Sequence, residues 1–173
     1  ALAEIGKAIS STRELDAILG LIVRRMPAVM NLKACTIRLL EAADGRLQLK
    51  AAHGLSEAYL KRGALDEELA THYILQGEPV LIPDATVDLH TIYHREAAAE
   101  GVASILAVPI TVGDEPIGMM RLLTKEVRYF SEADINFAMA VAEQGGIAIQ
   151  NAVSYRKMQD LIDALESHRQ RDS

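Results

Sequence analysis

At 173 residues the chain has the length of one domain with a modest extension, enough to bury about 70% of the surface its unfolded form exposes. Half of the residues are hydrophobic and 24% are charged, which excludes intrinsic disorder as an overall description. The balance of 18 basic against 24 acidic residues, net −6, argues against nucleic acid or an anionic membrane as partner, since both need a basic footprint.

A single cysteine, Cys35, cannot make an internal disulfide, a thiolate zinc cage or a CxxC redox pair. No run approaches the roughly 18 apolar residues of a membrane span, and no secretory leader pattern opens the chain. The expectation is a cytoplasmic domain. Because Ala1 already stands in a helical pattern, it is also expected to be a piece of a longer protein.

In chain order, residues 1–30 read as helix. Leu2, Ile5 and Ile9, then Leu15, Ile18, Leu19, Ile22, Met26 and Val29, recur at threes and fours. Ser11-Thr12-Arg13-Glu14 has the form of a capping box and predicts a helix restart, while Pro27 predicts a kink or an early end. Two strands follow, Ala34 to Glu41 and Arg46 to Ala52, with Asp44-Gly45 as the turn between them. His53 before Gly54 ends the second strand. The middle holds helical patterns at Ser56 to Arg62, Asp66 to Leu75 and Ile92 to Glu100, with a brief strand at Pro79 to Ile82. A second strand pair, Ala103 to Val112 and Pro116 to Thr124, turns at Gly113-Asp114-Glu115.

Ser131 to Asp134 then caps a long helix, with Phe130 and Ile135 placed as a hydrophobic staple. Along it Ile135, Met139, Ala142, Gly146, Ile149 and Val153 repeat at fours and threes, as in a coiled-coil seam. The repeat slips near Tyr155 and resumes through Met158, Ile162 and Leu165. Hairpin-joined strands between helices predict an α+β class with a mainly antiparallel sheet, the terminal helices on one face and the middle segment on the other.

Several stretches together resemble the GAF domain family from about Leu15 to Val153. They are Leu15 to Leu19, Ile37 to Glu41 with Asp44-Gly45, Ala52 to Ser56, Gly101 to Ser104 with Val108 to Ile110, Ile117-Gly118 with Arg121-Leu122, and Tyr129 to Asp134 running to Ala148 to Ala152. The resemblance implies a sheet of about six antiparallel strands, terminal helices behind it and short helices and loops enclosing a small-molecule cavity in front. It also implies a non-catalytic regulatory input module, whose signal leaves through the terminal helices to an output domain. Residues 1–153 would form the domain, divided into 1–30, 34–124 and 131–153, and 154–173 a helical extension.

The candidate residues follow from this frame. Bilin-binding members attach their chromophore through a Cys followed by His, where this chain has Ile92 and Tyr93, so covalent bilin attachment lacks its nucleophile and the cofactor, if one exists, is unknown. Tyr93, His90 and His94 offer donors and stacking surfaces where such a cavity opens, and His72 and Tyr73 would face it from the other side. Asp84, Asp88, His90 and His94 would make a His₂-carboxylate metal site, the histidines four apart on one helical face; a turn at Asp84 with solvated histidines is the plainer alternative.

Arg38 and Arg121 lie in strand patterns. Arg121 shares a face with Met119 and Leu123, where an arginine either binds an anion or carboxylate or, more commonly, pairs with a local acid and snorkels to the sheet edge. No nucleophile elbow, phosphate loop or catalytic carboxylate pair is present in the sequence.

Gly145-Gly146 in mid-helix costs about 1 kcal/mol per glycine relative to alanine, a cost that a closely approaching helix would offset. Ile149, Val153, Met158, Ile162 and Leu165 are the expected seam of a homodimer stem. The leading expectation is a sensory domain that binds a small molecule and relays it through dimerising helices. The alternatives are a ligand-free dimerisation module and, after it, a metal-dependent sensor.

Overall fold

In the computed structural model, which describes residues 1–10, 14–41, 45–61, 72–87 and 93–172, helices α1 (Leu2–Ser10) and α2 (Leu15–Met30) lead into strands β1 (Ala34–Leu40) and β2 (Leu47–His53). The middle contributes α3 (Glu57–Leu60), β3 (Val80–Ile82) and α4 (His94–Glu100). Strands β4 (Ile105–Val112) and β5 (Glu115–Leu123) form the second hairpin, and α5 (Glu132–Arg171) closes the chain. The expected restart at Ser11, the turn residue Asp44 and most of the 66–75 helix lie outside the described residues.

The strands pair antiparallel in the order β2-β1-β5-β4-β3, so the class is α+β as expected, with five strands among the described residues rather than about six. The β4–β5 turn is tight: Val112 pairs with Glu115 across Gly113-Asp114, and Gly113 takes the positive φ of 61° that such a two-residue turn demands.

Strand alternation gives the sheet two unlike faces. Cys35, Ile37, Leu39, Leu106, Val108, Ile110, Met120 and Leu122 point back into one continuous core with Ile5, Ile18, Ile22 and Met26 of the leading helices and Val141, Ala142 and Ile149 of α5. Each such side chain contributes about 1.5–3 kcal/mol by leaving water. The front carries two small clusters instead. One joins Ala34, Ile105 and Leu123 to Ala85, Ala97 and Val102; the other joins Leu47, Ala107 and Met119 to Ile74.

Helix α2 runs through Pro27 without an early end and stops at Met30, where Asn31 takes a left-handed conformation. Arg128 holds that terminus: its Nη1 donates to the Met30 carbonyl at 2.6 Å, and its guanidinium lies over the Phe130 ring. Helix α5 starts with the expected reciprocal cap, the Asp134 amide donating to Ser131 Oγ at 3.1 Å and the Ser131 amide to Asp134 Oδ2 at 3.2 Å. Phe130 is buried and Ile135 packs on the same core, as a staple requires.

The two mid-helix glycines serve different neighbours. A β-carbon on Gly146 would collide with the backbone carbonyl of Thr111 in β4, so the close approach there is by the sheet and not by a helix. On Gly145 it would stand 3.1 Å from Ile22 Cδ1 of α2, the helix approach that was expected.

Past Ala152 the environment of α5 changes. From 154 to 172 every residue is exposed, including Tyr155, Met158, Leu161, Ile162 and Leu165. This half of the helix leaves the domain, tied to it by Arg156, whose Nη2 lies 3.6 Å from Asp16 Oδ2 of α2. Ile149, expected in the dimer seam, is instead 1% exposed in the chain's own core, because its turn of α5 still lies against the sheet.

Candidate ligand site on the front of the sheet

The polar exception to the apolar sheet is at its centre. On β5 the alternation puts Met119, Arg121 and Leu123 forward; on β1 it puts Thr36 and Arg38 forward. The register sets Thr36 directly opposite Arg121, and Ala107 of β4 flanks Arg121 on its other side. Thr36, Arg38 and Arg121 are 2%, 3% and 5% exposed. Arg38 Nη1 donates to Thr36 Oγ1 at 3.2 Å, and Arg121 Nε is buried without a hydrogen-bond partner.

Leu55, Tyr59 and Leu60, on and just before α3, roof these three residues together with Leu123. The atom-free space they bound is about 220 Å3 including its mouth, but its interior has room for about one water molecule at most.

The roof is fastened. Glu100, at the end of α4, accepts from the Ser56 amide and the Ser56 hydroxyl, both at 2.7 Å, and Ser56 Oγ in turn caps α3 by accepting from the Tyr59 amide. The Ser56 bonds, with a smaller contribution from Lys33, hold the Glu100 carboxyl below its ordinary range.

Of the described residues expected to line the cavity, Arg121 alone lines the space under α3. Arg121 does not snorkel to the edge, since β5 is the central strand and no acid among the described residues forms an ion pair with it. His72 and Tyr73 face solvent, Tyr73 at 46% exposure, with their rings edge to face and His72 Nε2 3.2 Å from Gln76 Nε2. Ile74 takes the one inward slot of that turn, fully buried against Ala107 and Met119. Tyr93 and His94 are half-buried at the start of α4 and do not line the space under α3.

His90 and Asp88 lie outside the described residues, so the four-residue metal arrangement cannot be assembled from those that remain. Asp84 is engaged locally: its Oδ1 accepts from the Thr86 amide at 3.0 Å and hydroxyl at 2.6 Å, bonds that lower its pKa, as His94 does to a lesser degree. Among the described residues no group of three His, Cys, Asp or Glu side chains converges. Cys35 sits on the back face, where burial pushes its thiol pKa far up.

Thr36 and Tyr59 were not singled out from sequence. The period of two that marks Arg121 also marks Thr36 with Arg38 on β1, so the Thr36-x-Arg38 spacing was the available signal.

This architecture coincides with a known family. A model of the GAF domain matches residues 12–150. The chain belongs to the GAF domain family. Among solved structures, the GAF domain from a phosphoenolpyruvate-protein phosphotransferase of Coxiella burnetii superposes with a TM-score of 0.75 at 21% identity, over 90% of this chain and 94% of that one. Curated relatives include the formate hydrogenlyase transcriptional activator of Salmonella typhimurium, 22% identical over 95% of this chain and 25% of its own length. Another is the DNA-binding transcriptional activator HyfR of Escherichia coli, 25% identical over 95% of this chain and 26% of its own length. The GAF chain thus spans about a quarter of these curated relatives. GAF domains of this kind are commonly regulatory modules of signalling proteins. No helix among the described residues is long and apolar enough to cross a membrane.

Proposed function

We propose that this GAF domain is the non-catalytic sensory module of a larger cytoplasmic signalling protein. It binds a small molecule on the front of the sheet and passes the change to an output domain through a homodimeric helical stem. Residues 1–153 form the sensing domain and 154–173 the stem. The relatives named as transcriptional activators suggest transcription control as the output.

The observation that carries this reading is α5. It is one forty-residue helix whose first half packs on the sheet and whose second half stands free with Tyr155, Met158, Leu161, Ile162 and Leu165 exposed. Such an apolar row on an otherwise charged helix is stable in water when a second helix covers it. A shift in the front roof that favours one packing of the sheet against α5 over another biases the stem directly, because the two are a single rigid element.

Light scattering tests the stem. The wild-type chain is expected to be a dimer, and Ile162→Glu with Leu165→Glu to lower the mass to that of a monomer while leaving the far-UV signature of the domain intact. An unchanged mass contradicts the stem.

A further inference from the structure

The exposed apolar row of α5 does not begin where the stem begins. Ile147 precedes Ala152, in the half of the helix that packs on the sheet, yet it is 52% exposed. Asn151, Ser154, Met158, Leu161 and Leu165 follow it on the same side and are exposed as well. Their spacing, 4-3-4-3-4, is that of the a and d positions of a two-stranded coiled coil. At about 3.6 residues per turn, Leu165 returns to the line of Ile147 after about 27 Å of helix.

That line faces away from the core. At about 100° per residue, the buried Ile149 stands about 160° round from Ile147. Arg156, Lys157, Asp160, Asp163 and Glu166 all stand about 80° or more from it. The strip is therefore uncharged along its whole length, in a chain of which 24% is charged. A strongly charged partner finds no counter-charge on it. A helix with an equally uncharged strip of the same spacing matches it, and a second copy of this chain carries one.

The one amide in the strip decides the orientation. In a parallel, in-register pair Asn151 meets the partner's Asn151, and each amide can donate to the other's carbonyl oxygen. In an antiparallel pair that overlaps over the same strip, Asn151 falls opposite the partner's Leu161 and its donors go unmatched.

We propose that two copies of this chain pair in parallel and in register along Ile147, Asn151, Ser154, Met158, Leu161 and Leu165, so that the dimer interface runs from the stem into the sensing domain. This rests on the homodimeric stem proposed above and extends it, since a stem alone needs no residue before 154. Between Ile147 and Ala152 one side of α5 then faces the sheet and the other faces the partner. A shift of the sheet reaches the dimer contact there directly, across the width of one helix.

Oxidative cross-linking of single-cysteine variants of the 173-residue chain tests the orientation. The native Cys35 is buried and stays out of the reaction. Ile147→Cys and Ser154→Cys are each expected to form a disulfide-linked dimer, and Val153→Cys, about 120° round from the strip, at least tenfold less of it. Sedimentation equilibrium tests the extent. Ile147→Glu is expected to raise the dimer Kd at least tenfold and to leave the far-UV signature intact, because that side chain is already half in water.

A dimer that cross-links at neither position would overturn the parallel register. A dimer that cross-links at Ser154→Cys but keeps its Kd in Ile147→Glu would confine the interface to the stem and overturn its extension. Both results leave the homodimeric stem standing, whereas a monomeric wild-type chain overturns the stem and this pairing together.

Discussion

The two faces of the sheet are built from the same strands by opposite rules. Behind, alternate residues of β1, β4 and β5 are all apolar and lock into one core with α1, α2 and α5. In front, the same three strands present Thr36, Arg38 and Arg121 among apolar residues, under a roof of two short helices pinned by Glu100 and Ser56. Neither face is more buried than the other at the sheet centre; they differ in what burial achieves. The back converts burial into stability. The front leaves a guanidinium nitrogen unmatched, a cost that a fold bears where it reserves a place for something else.

Mutations on the two faces should therefore differ in sign, and the largest effect belongs to the back. Ile37→Ala removes a fully buried side chain from the continuous core and is expected to cost about 3–4 kcal/mol, measured by urea unfolding. Gly146→Ala forces a methyl group against the Thr111 carbonyl where β4 cannot yield, and should cost about 2 kcal/mol by the same assay. A cost near zero there would mean that α5 is free to slide on the sheet.

On the front, the gain expected from Arg121→Met is about 1 kcal/mol and of opposite sign, which is the sharpest form of the contrast. The smallest effect concerns the roof. The Glu100 pKa is lowered in the folded chain, so its bond to Ser56 contributes stability above the ordinary glutamate range, and that contribution is lost as pH falls through the lowered value. The Tm advantage of wild type over Glu100→Gln should accordingly shrink as pH drops from about 6 to about 3. An advantage independent of pH would remove the carboxylate from the roof's support.

The division into faces was largely legible in the sequence. Alternation on β1, β4 and β5 and the cap at Ser131 fix strands and helix by local chemistry alone, and they were read to within about two residues. The site was legible only where it shares that periodicity: Arg121 stands out because a charge interrupts an apolar face. His72 and Tyr73 misled because a single helical turn offers one inward slot, and the competition for it is decided by tertiary packing that seats Ile74. The double glycine signalled a close approach but not by what, since a strand carbonyl and a helix side chain impose the same demand for a missing β-carbon. Ile149 and Ile162 lie on one helix, and only the position of the sheet edge separates the buried residue from the exposed one.

The proposed relay from front face to stem is most directly tested by hydrogen exchange of the wild-type chain against Arg121→Met, a substitution confined to the front face. The account predicts slower exchange in the variant at β1 and β5 around Thr36 and Arg121, and a concurrent change in the amides of α5 beyond Ala152, where residues 154–172 are exposed. Protection that stops at the sheet, with the stem unchanged, would contradict it.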